Sequence, residues 1–397
     1  MTYINAVKYI LSLPDTPCDA DSIERMRIIC DTLDTPRKKL KSVHVCGDVG
    51  KDSCLTMIEA ILKSTSHSFG RCSLHFSDDP RECISVNGKA ISHFEFSEII
   101  KNISKAYKSK FKDSIPNRSE VLTLSAIVCF LSNGCDISLF ERSSLKAAPA
   151  SIIEPPLVSL LTPFSERDIS DGRFEHLIPK GTAETVSSPQ HKEVFNAVSS
   201  ACVLSGSRLT VPIYSDMEIK SITLFKTEFS YRGEVYSMRS FSPCQTVNAI
   251  TAVEVANALT RCGFQIDTNA VKKGLFTACL DGKCEAISIE PTVIVSSLFK
   301  MEHVDALAAS LAQVKEQFAS NPTLLVDPGC GIGISDISAA LSAHEISHET
   351  PSELSRDEID EQLQKMSALD KSSVVLIVGG KSFIRDFKNL YRSKFGF

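Results

Sequence analysis

Between His44 and Ser53 the chain reads HVCGDVGKDS, and four of those residues, Gly47, Gly50, Lys51 and Ser53, have the types and order of a phosphate-cradling loop. Glycines let successive backbone amides turn toward a polyphosphate, a lysine supplies a point charge for its outer phosphates, and a serine hydroxyl can reach a magnesium ion. The loop is shorter than the commonest nucleotide-binding version. The same residues also fit a surface turn capping a helix that begins near Leu55. Nucleotide binding is the stronger reading, because the lysine and the serine follow the second glycine where a strand-to-helix loop would use them. Asp48 and Asp52 count against it, since carboxylates in such a loop repel phosphate unless something screens them.

The elements around the loop are those that would hold it. Apolar residues at helical spacing predict helices over Tyr3 to Leu13 and Ser22 to Leu33, ahead of a strand at Ser42 to Cys46. A helix from about Leu55 to Lys63 and a strand around Phe69 to Ser73 then give the start of a βαβ order, hence a parallel sheet with ligands at its strand C-terminal ends. A turn at Asn87-Gly88 introduces a helix over His93 to Tyr107, followed by a helix at Ser119 to Leu131 and strands at Ile137 to Glu141 and Leu157 to Thr162. Glu141 closes its strand at the ligand end of such a sheet, where a carboxylate can contact magnesium and can equally well be a solvated strand end.

Further along, Ser221 to Arg239 alternates as a hairpin turning at Arg232-Gly233, and Gln245 to Arg261 has the pattern of a long helix. A second α/β pattern follows: strands near Ala286 to Ile289 and Thr292 to Val295, a helix Asp305 to Phe318, a strand Thr323 to Val326, a loop His344 to Arg356, a helix Asp357 to Met366 and a strand Val374 to Val378. The predicted architecture is α/β, with an N-terminal P-loop-type, mostly parallel sheet flanked by helices and a smaller C-terminal Rossmann-like domain. The boundary is expected between residues 278 and 279, since 397 residues exceed one comfortable core.

Composition bounds the partners. A net charge of -5 with 43% hydrophobic residues argues against broad adhesion to nucleic acid or anionic membrane. No basic-then-apolar leader opens the chain, and no segment approaches the roughly 18 uninterrupted apolar residues of a membrane span, so a cytoplasmic location is expected. The fourteen cysteines are scattered singly through apolar surroundings, and Cys279 with Cys284 has no second pair nearby. Reduced, mostly buried thiols are expected, with neither zinc nor disulfides.

The order of motifs over nearly the whole chain resembles the folylpolyglutamate synthase and dihydrofolate synthase branch of the Mur ligase family. The matching strings are HVCGDVGKDS, ISVNGKAIS from Ile84, DISLFE from Asp136, PPLVSLLT from Pro155, SYRGEVY from Ser230, CQTVNAITA from Cys244 and VVLIVGGKSFIRDF near the end. The resemblance implies ATP and magnesium as cofactors. It also implies a chemistry in which ATP phosphorylates a folate-like carboxylate and the amine of glutamate attacks the acyl phosphate, with metal ions and basic groups neutralising the moving charge. By this resemblance Gly47, Gly50, Lys51 and Ser53 take the place of the family's GTNGKGS loop, with Asp48, Val49 and Asp52 at its Thr, Asn and third Gly. Glu141 matches the metal-binding glutamate, Ser73 the serine of a TSPHL motif across a gap, and Asn248 an asparagine that helps to hold the nucleotide base. Lys283, in DGKCE, stands at the arginine of a PGRxE pattern and keeps its charge without its planar fork.

The remainder of the family's machinery has changed. After Glu141 the family continues VGLGGRLDATN, whereas this chain has Ala147 at the arginine and Pro149 at the aspartate. The family's LDH falls on Glu166, Arg167 and Asp168, and no lysine stands in register with its modified lysine, Lys180 lying several residues later. Its DGAHN falls on Ser296, Ser297, Leu298, Phe299 and Lys300, which cannot make the same hydrogen bonds or proton transfers. The expectation is therefore a nucleotide-binding relative with lost or strongly reduced glutamate-ligase activity, monomeric as in the family, in a binding or regulatory role alongside a working ligase. The alternative is an active ATP-dependent amide ligase for another carboxylate or amine, with Asp168, Lys180 or Lys300 taking over. A third reading is a phosphotransferase or ATPase that retains only the loop.

Overall fold

The structure is a computed structural model that describes residues 1–74, 76, 79–112, 114–142, 148–164, 177–298 and 300–396. The chain divides into two compact units, Met1–Ile213 with Asn248–Leu275, and Tyr214–Val247 with Phe276–Phe397.

The first unit carries, in chain order, α1 (Tyr3–Ser12), α2 (Ala20–Thr32), β1 (Ser42–Cys46), α3 (Lys51–Lys63), β2 (Phe69–Cys72), β3 (Ile84–Val86), β4 (Lys89–Ala90), α4 (His93–Lys110), α5 (Arg118–Ser132), β5 (Ile137–Glu141), β6 (Val158–Leu161), β7 (Glu184–Ser187), α6 (Lys192–Ser205) and β8 (Arg208–Thr210). Its eight strands form one sheet in the order β4-β3-β2-β5-β1-β6-β7-β8. All neighbours from β2 to β8 run parallel, while β3 and β4 add an antiparallel edge. Every residue of β1 is buried, as befits a central parallel strand covered on both faces. Because β1 sits between β5 and β6, its C-terminal end lies where the strand order reverses, the usual ligand crevice of an open α/β sheet.

The next elements are β9 (Met217–Thr223), β10 (Lys226–Tyr231), β11 (Glu234–Met238), α7 (Pro243–Arg261) and α8 (Thr268–Thr277). Strands β9 to β11 form a three-stranded antiparallel sheet in the second unit, and α7 from Asn248 onward, with most of α8, belongs to the first. The second unit continues with β12 (Glu285–Ile289), β13 (Thr292–Ser297), α9 (Met301–Ala312), β14 (Thr323–Val326), α10 (Ile334–Ala343), β15 (Ser352–Glu353), α11 (Ile359–Met366), β16 (Val374–Gly379) and α12 (Lys381–Phe395). These strands order as β12-β13-β16-β14-β15, parallel apart from β12. Period-two alternation gives this sheet two apolar faces: Ile294, Leu324, Leu376 and Val378 enter one cluster, and Val293, Val295, Leu325 and Ile377 the other. On α12, buried Lys388 directs its ammonium at the carboxylates of Asp281 and Glu285, the latter at 2.5 Å.

Several boundaries depart from the sequence reading. Helix α3 starts at Lys51 rather than near Leu55, because Gly50 adopts a left-handed conformation as N-cap and its carbonyl accepts from the Cys54 amide at 2.9 Å. Asn87 and Gly88, both at positive φ, close the β3–β4 hairpin before α4 instead of leading straight into the helix. The hairpin around Arg232-Gly233 gains a third strand, and the segment expected as loop between His344 and Arg356 contributes the short β15. All fourteen cysteines are free thiols, most of them buried.

Helix packing in the first unit rests partly on one buried carboxylate. Glu120, fully buried on α5, accepts from Arg25 of α2 at 2.8 Å and from the Tyr107 hydroxyl of α4 at 2.7 Å, and it completes the capping box of its own helix with Asn117. Glu120→Ala removes the partner of a mostly buried guanidinium and a buried phenol, so urea denaturation should show a loss of about 3 kcal/mol.

Candidate functional site

The loop after β1 is held by close backbone approach. Gly47 has φ +137°, and a Cβ there would overlap the Thr162 hydroxyl and stand 2.6 Å from the Thr162 carbonyl oxygen. Gly50 has φ +84°, and its Cβ would lie 2.8 Å from Asn248 Oδ1. The Asp48 amide donates to the Pro163 carbonyl at 2.9 Å, while Gln190 bridges the same turn, accepting from the Phe164 amide and donating to the Thr162 carbonyl, both at 3.0 Å. Thr162 and Gln190 are supports that the residue types did not single out, although Thr162 ends the matching string PPLVSLLT.

Lys51 and Ser53 occupy the first turn of α3, where unpaired amides and the helix dipole favour an anion. The Lys51 ammonium folds back to donate to the Gly47 carbonyl, which places its charge over the loop. Ser53 is buried. Asn248 of α7 packs against the same turn, its oxygens 3.6 and 3.9 Å from the Cys54 thiol. Gly47, Gly50, Lys51, Ser53 and Asn248 are thus brought together, from two elements almost 200 residues apart.

Ser73 and Glu141 are also brought together. The Ser73 hydroxyl, just past β2, donates to Glu141 Oε2 at 2.7 Å. Register pairs Glu141 with Val45, so its carboxylate ends β5 beside the strand that feeds the loop. Among the described residues no group of three or more His, Cys, Asp or Glu could hold a metal ion by itself. One carboxylate and the hydroxyls of Ser53 and Ser73 are nevertheless hard oxygen donors, and magnesium commonly takes one or two carboxylates and completes its shell with phosphate oxygens and water. The residues present fit that ion when a nucleotide accompanies it.

Asp52 is not bare. Its carboxylate meets Arg71 of β2 at 2.7 Å, and the same guanidinium reaches Glu59 at 2.9 Å.

Lys283 stands apart from this group in sequence and unit, in the turn before β12, where its amide donates to the Leu280 carbonyl. Its neighbour Gly282 has positive φ and faces the Ser297 hydroxyl. At the end of β13 Ser296 and Ser297 are buried, and Leu298 belongs to the apolar core. Lys300 is the exposed N-cap of α9, and Lys180 is exposed in a turn. Pro149 is buried at the start of a short 3-10 turn. Ala147, Glu166, Arg167, Asp168 and Phe299 lie outside the described residues.

No protein-family model matches the chain. Among curated proteins it is similar to the dihydrofolate synthase/folylpolyglutamate synthase of Mycobacterium tuberculosis, 24% identical over 341 residues that cover 75% of this chain and 68% of that protein. The Bacillus subtilis protein of the same name is 22% identical over 335 residues, covering 75% and 73%. Among solved structures, the apo form of the Lactobacillus casei folylpolyglutamate synthase superposes with a TM-score of 0.82 at 18% identity over the full length of both chains. The M. tuberculosis folylpolyglutamate synthase complexed with ADP and AMPPCP gives 0.75 at 20% identity, over 98% of each.

On the strand that leads into the loop, His44 is buried with Nε2 3.3 Å from the Ser42 hydroxyl. Burial holds its pKa well below the ordinary 6.5, and the charge of buried Arg142 pushes the same way. The unfolded chain therefore binds a proton that the native state refuses as pH falls below about 6.5, so stability present above that pH is lost progressively toward the depressed folded value. His44→Gln should flatten the acid-side slope of unfolding free energy, up to about 1.4 kcal/mol per pH unit, in urea titrations between about pH 6.5 and 5.

Proposed function

We propose that this homologue of the folylpolyglutamate and dihydrofolate synthases, which has their Mur-ligase-like fold, binds a nucleoside triphosphate in its first unit and has lost, or strongly reduced, glutamate ligation. The observation that carries the reading is a contrast between two strand ends. After β1, both glycines keep the conformations and close approaches that a phosphate loop needs, and Lys51 is poised over them. After β13, where the resemblance puts an acid, an imidazole and an amide, the chain has buried serines and a core leucine.

In this reading the amides of the loop and of the first turn of α3 bind the phosphates, and Lys51 exchanges the Gly47 carbonyl for a phosphate oxygen. Asn248, held against Gly50, orients the base. Ser53, Ser73 and Glu141 would hold magnesium, whose contribution is to neutralise phosphate charge. By the resemblance, Lys283 of the second unit keeps the charge of the family's arginine. A folate-like or other carboxylate remains the candidate second ligand, since one solved relative is a complex of folylpolyglutamate synthase with AMPPCP and folate. Transfer to an amine needs groups that stabilise the tetrahedral intermediate and take its proton. Losing one electrostatic contact of that kind costs roughly 2.7–4 kcal/mol of transition-state stabilisation, so several losses leave little turnover.

Calorimetry with MgATP should show binding by the wild type, weakened at least about 100-fold in Lys51→Ala, equivalent to roughly 2.7 kcal/mol. Incubation with MgATP, glutamate and a reduced folate should release no ADP beyond a no-folate control. ADP formed only when acceptor and glutamate are both present, with a product one glutamate heavier, would instead make the protein a working ligase.

A further inference from the structure

We propose that Arg71 is a positioning residue for the phosphate loop, its guanidinium holding the Asp52 carboxylate to the side of α3 and cancelling a charge that would otherwise oppose a polyphosphate. The inference rests on the nucleotide-binding reading above. Asp52 lies between Lys51 and Ser53 in the first turn of α3, and a carboxylate there offsets the positive end of the helix that an anion would use. The side chain is turned away from that use. Residues 52, 56, 59 and 63 share one helical face, and Arg71 reaches along it. Its Nη2 donates to Asp52 Oδ1 at 2.7 Å, and its Nη1 donates to Glu59 Oε2 at 2.9 Å and to the Thr56 hydroxyl at 3.4 Å. Lys63 adds a second cation 3.3 Å from Glu59.

Arg71 is well placed to act as a fixed strut. It projects from β2, which is hydrogen-bonded between β3 and β5, with Arg71 in register with Ser85 on one side and Leu139 on the other. Its side chain is only 17% exposed, whereas that of Asp52 is 45% exposed. The arginine is thus the more firmly enclosed of the two. A planar fork that engages two carboxylates in different directions is a task lysine performs poorly. With Arg71 in place, the two carboxylates on this face are balanced by two cations. Without it the face carries a net negative charge one residue from Lys51.

The test is a double-mutant cycle of Arg71→Met and Asp52→Asn, reading the MgATP dissociation constant by calorimetry at low ionic strength alongside thermal unfolding midpoints. Arg71→Met should weaken binding about 10-fold or more, and the double variant should return to within about 3-fold of wild type, because the unbalanced carboxylate is gone. Added KCl should shrink the defect of Arg71→Met, as screening does for an exposed charge. A purely structural role would leave both Arg71→Met proteins equally weak and equally destabilised, and that result overturns the proposal. Should Arg71→Met not fold because Glu59 loses its partner, the cycle is run with Arg71→Lys, where a defect relieved by Asp52→Asn supports the proposal and an unrelieved defect, or none, overturns it. Wild type binding MgATP with Arg71→Met unchanged overturns this inference alone. No binding by wild type overturns the nucleotide reading as well.

Discussion

The contact on which the rest of the first unit depends is the approach of two backbones at the end of β1. Thr162, just past β6, presses its carbonyl and hydroxyl into the space that any side chain at residue 47 would need, while at residue 50 the side-chain amide of Asn248 stands closest. Glycine at 47 is therefore a packing requirement before it is a binding feature, and glycine at 50 is favoured by its left-handed φ of +84°. The requirement has a chemical result: the backbone turns with positive φ at both glycines, and the Asp48 amide between them is tied to the Pro163 carbonyl at 2.9 Å. The parallel order of β5, β1 and β6 makes the squeeze possible by bringing three strand ends level.

Charge in this neighbourhood is managed locally. Asp52 leans on Arg71, Glu59 is shared between Arg71 and Lys63, and Glu141 accepts from Ser73. His44, two residues before the end of β1, is kept neutral by burial, so it adds nothing to the field at the loop. Lys51 and the helix N-terminus contribute positive charge at the loop, and the charge of buried Arg142 is felt at Cys46, the last residue of β1. The corresponding strand end of the second unit, after β13, is apolar and hydroxylic.

Much of this was legible in the sequence, and the exceptions have identifiable causes. Strands β1, β5 and β14 fall on the expected residues because each is a short apolar run bounded by turn chemistry. Strand β7 escaped because ETVS reads as polar, yet all four residues are buried and Glu184 is paired with Arg261 at 2.7 Å. The helices α6, α8, α10 and α12 were not anticipated either, and α12 buries Lys388 through an ion pair that no local pattern announces. Within the site, the residue types picked out the loop and Glu141, and the resemblance added Ser73, which lies 68 positions from Glu141. The partner of Asp52 was hidden for the opposite reason: an arginine in a strand looks like a solvent-facing residue until the fold sets it beside a helix.

The strand order of the second unit carries a consequence for how the polypeptide assembles as it is made. β16 follows β13, β14 and β15 along the chain yet lies between β13 and β14, pairing with both. β13 and β14 have no ladder with each other, so each keeps one edge unpaired until residues 374–379 have been made. The second unit is therefore closed by a keystone that arrives late, and a nascent chain stalled short of it would present two apolar edges to chaperones rather than a partly finished sheet.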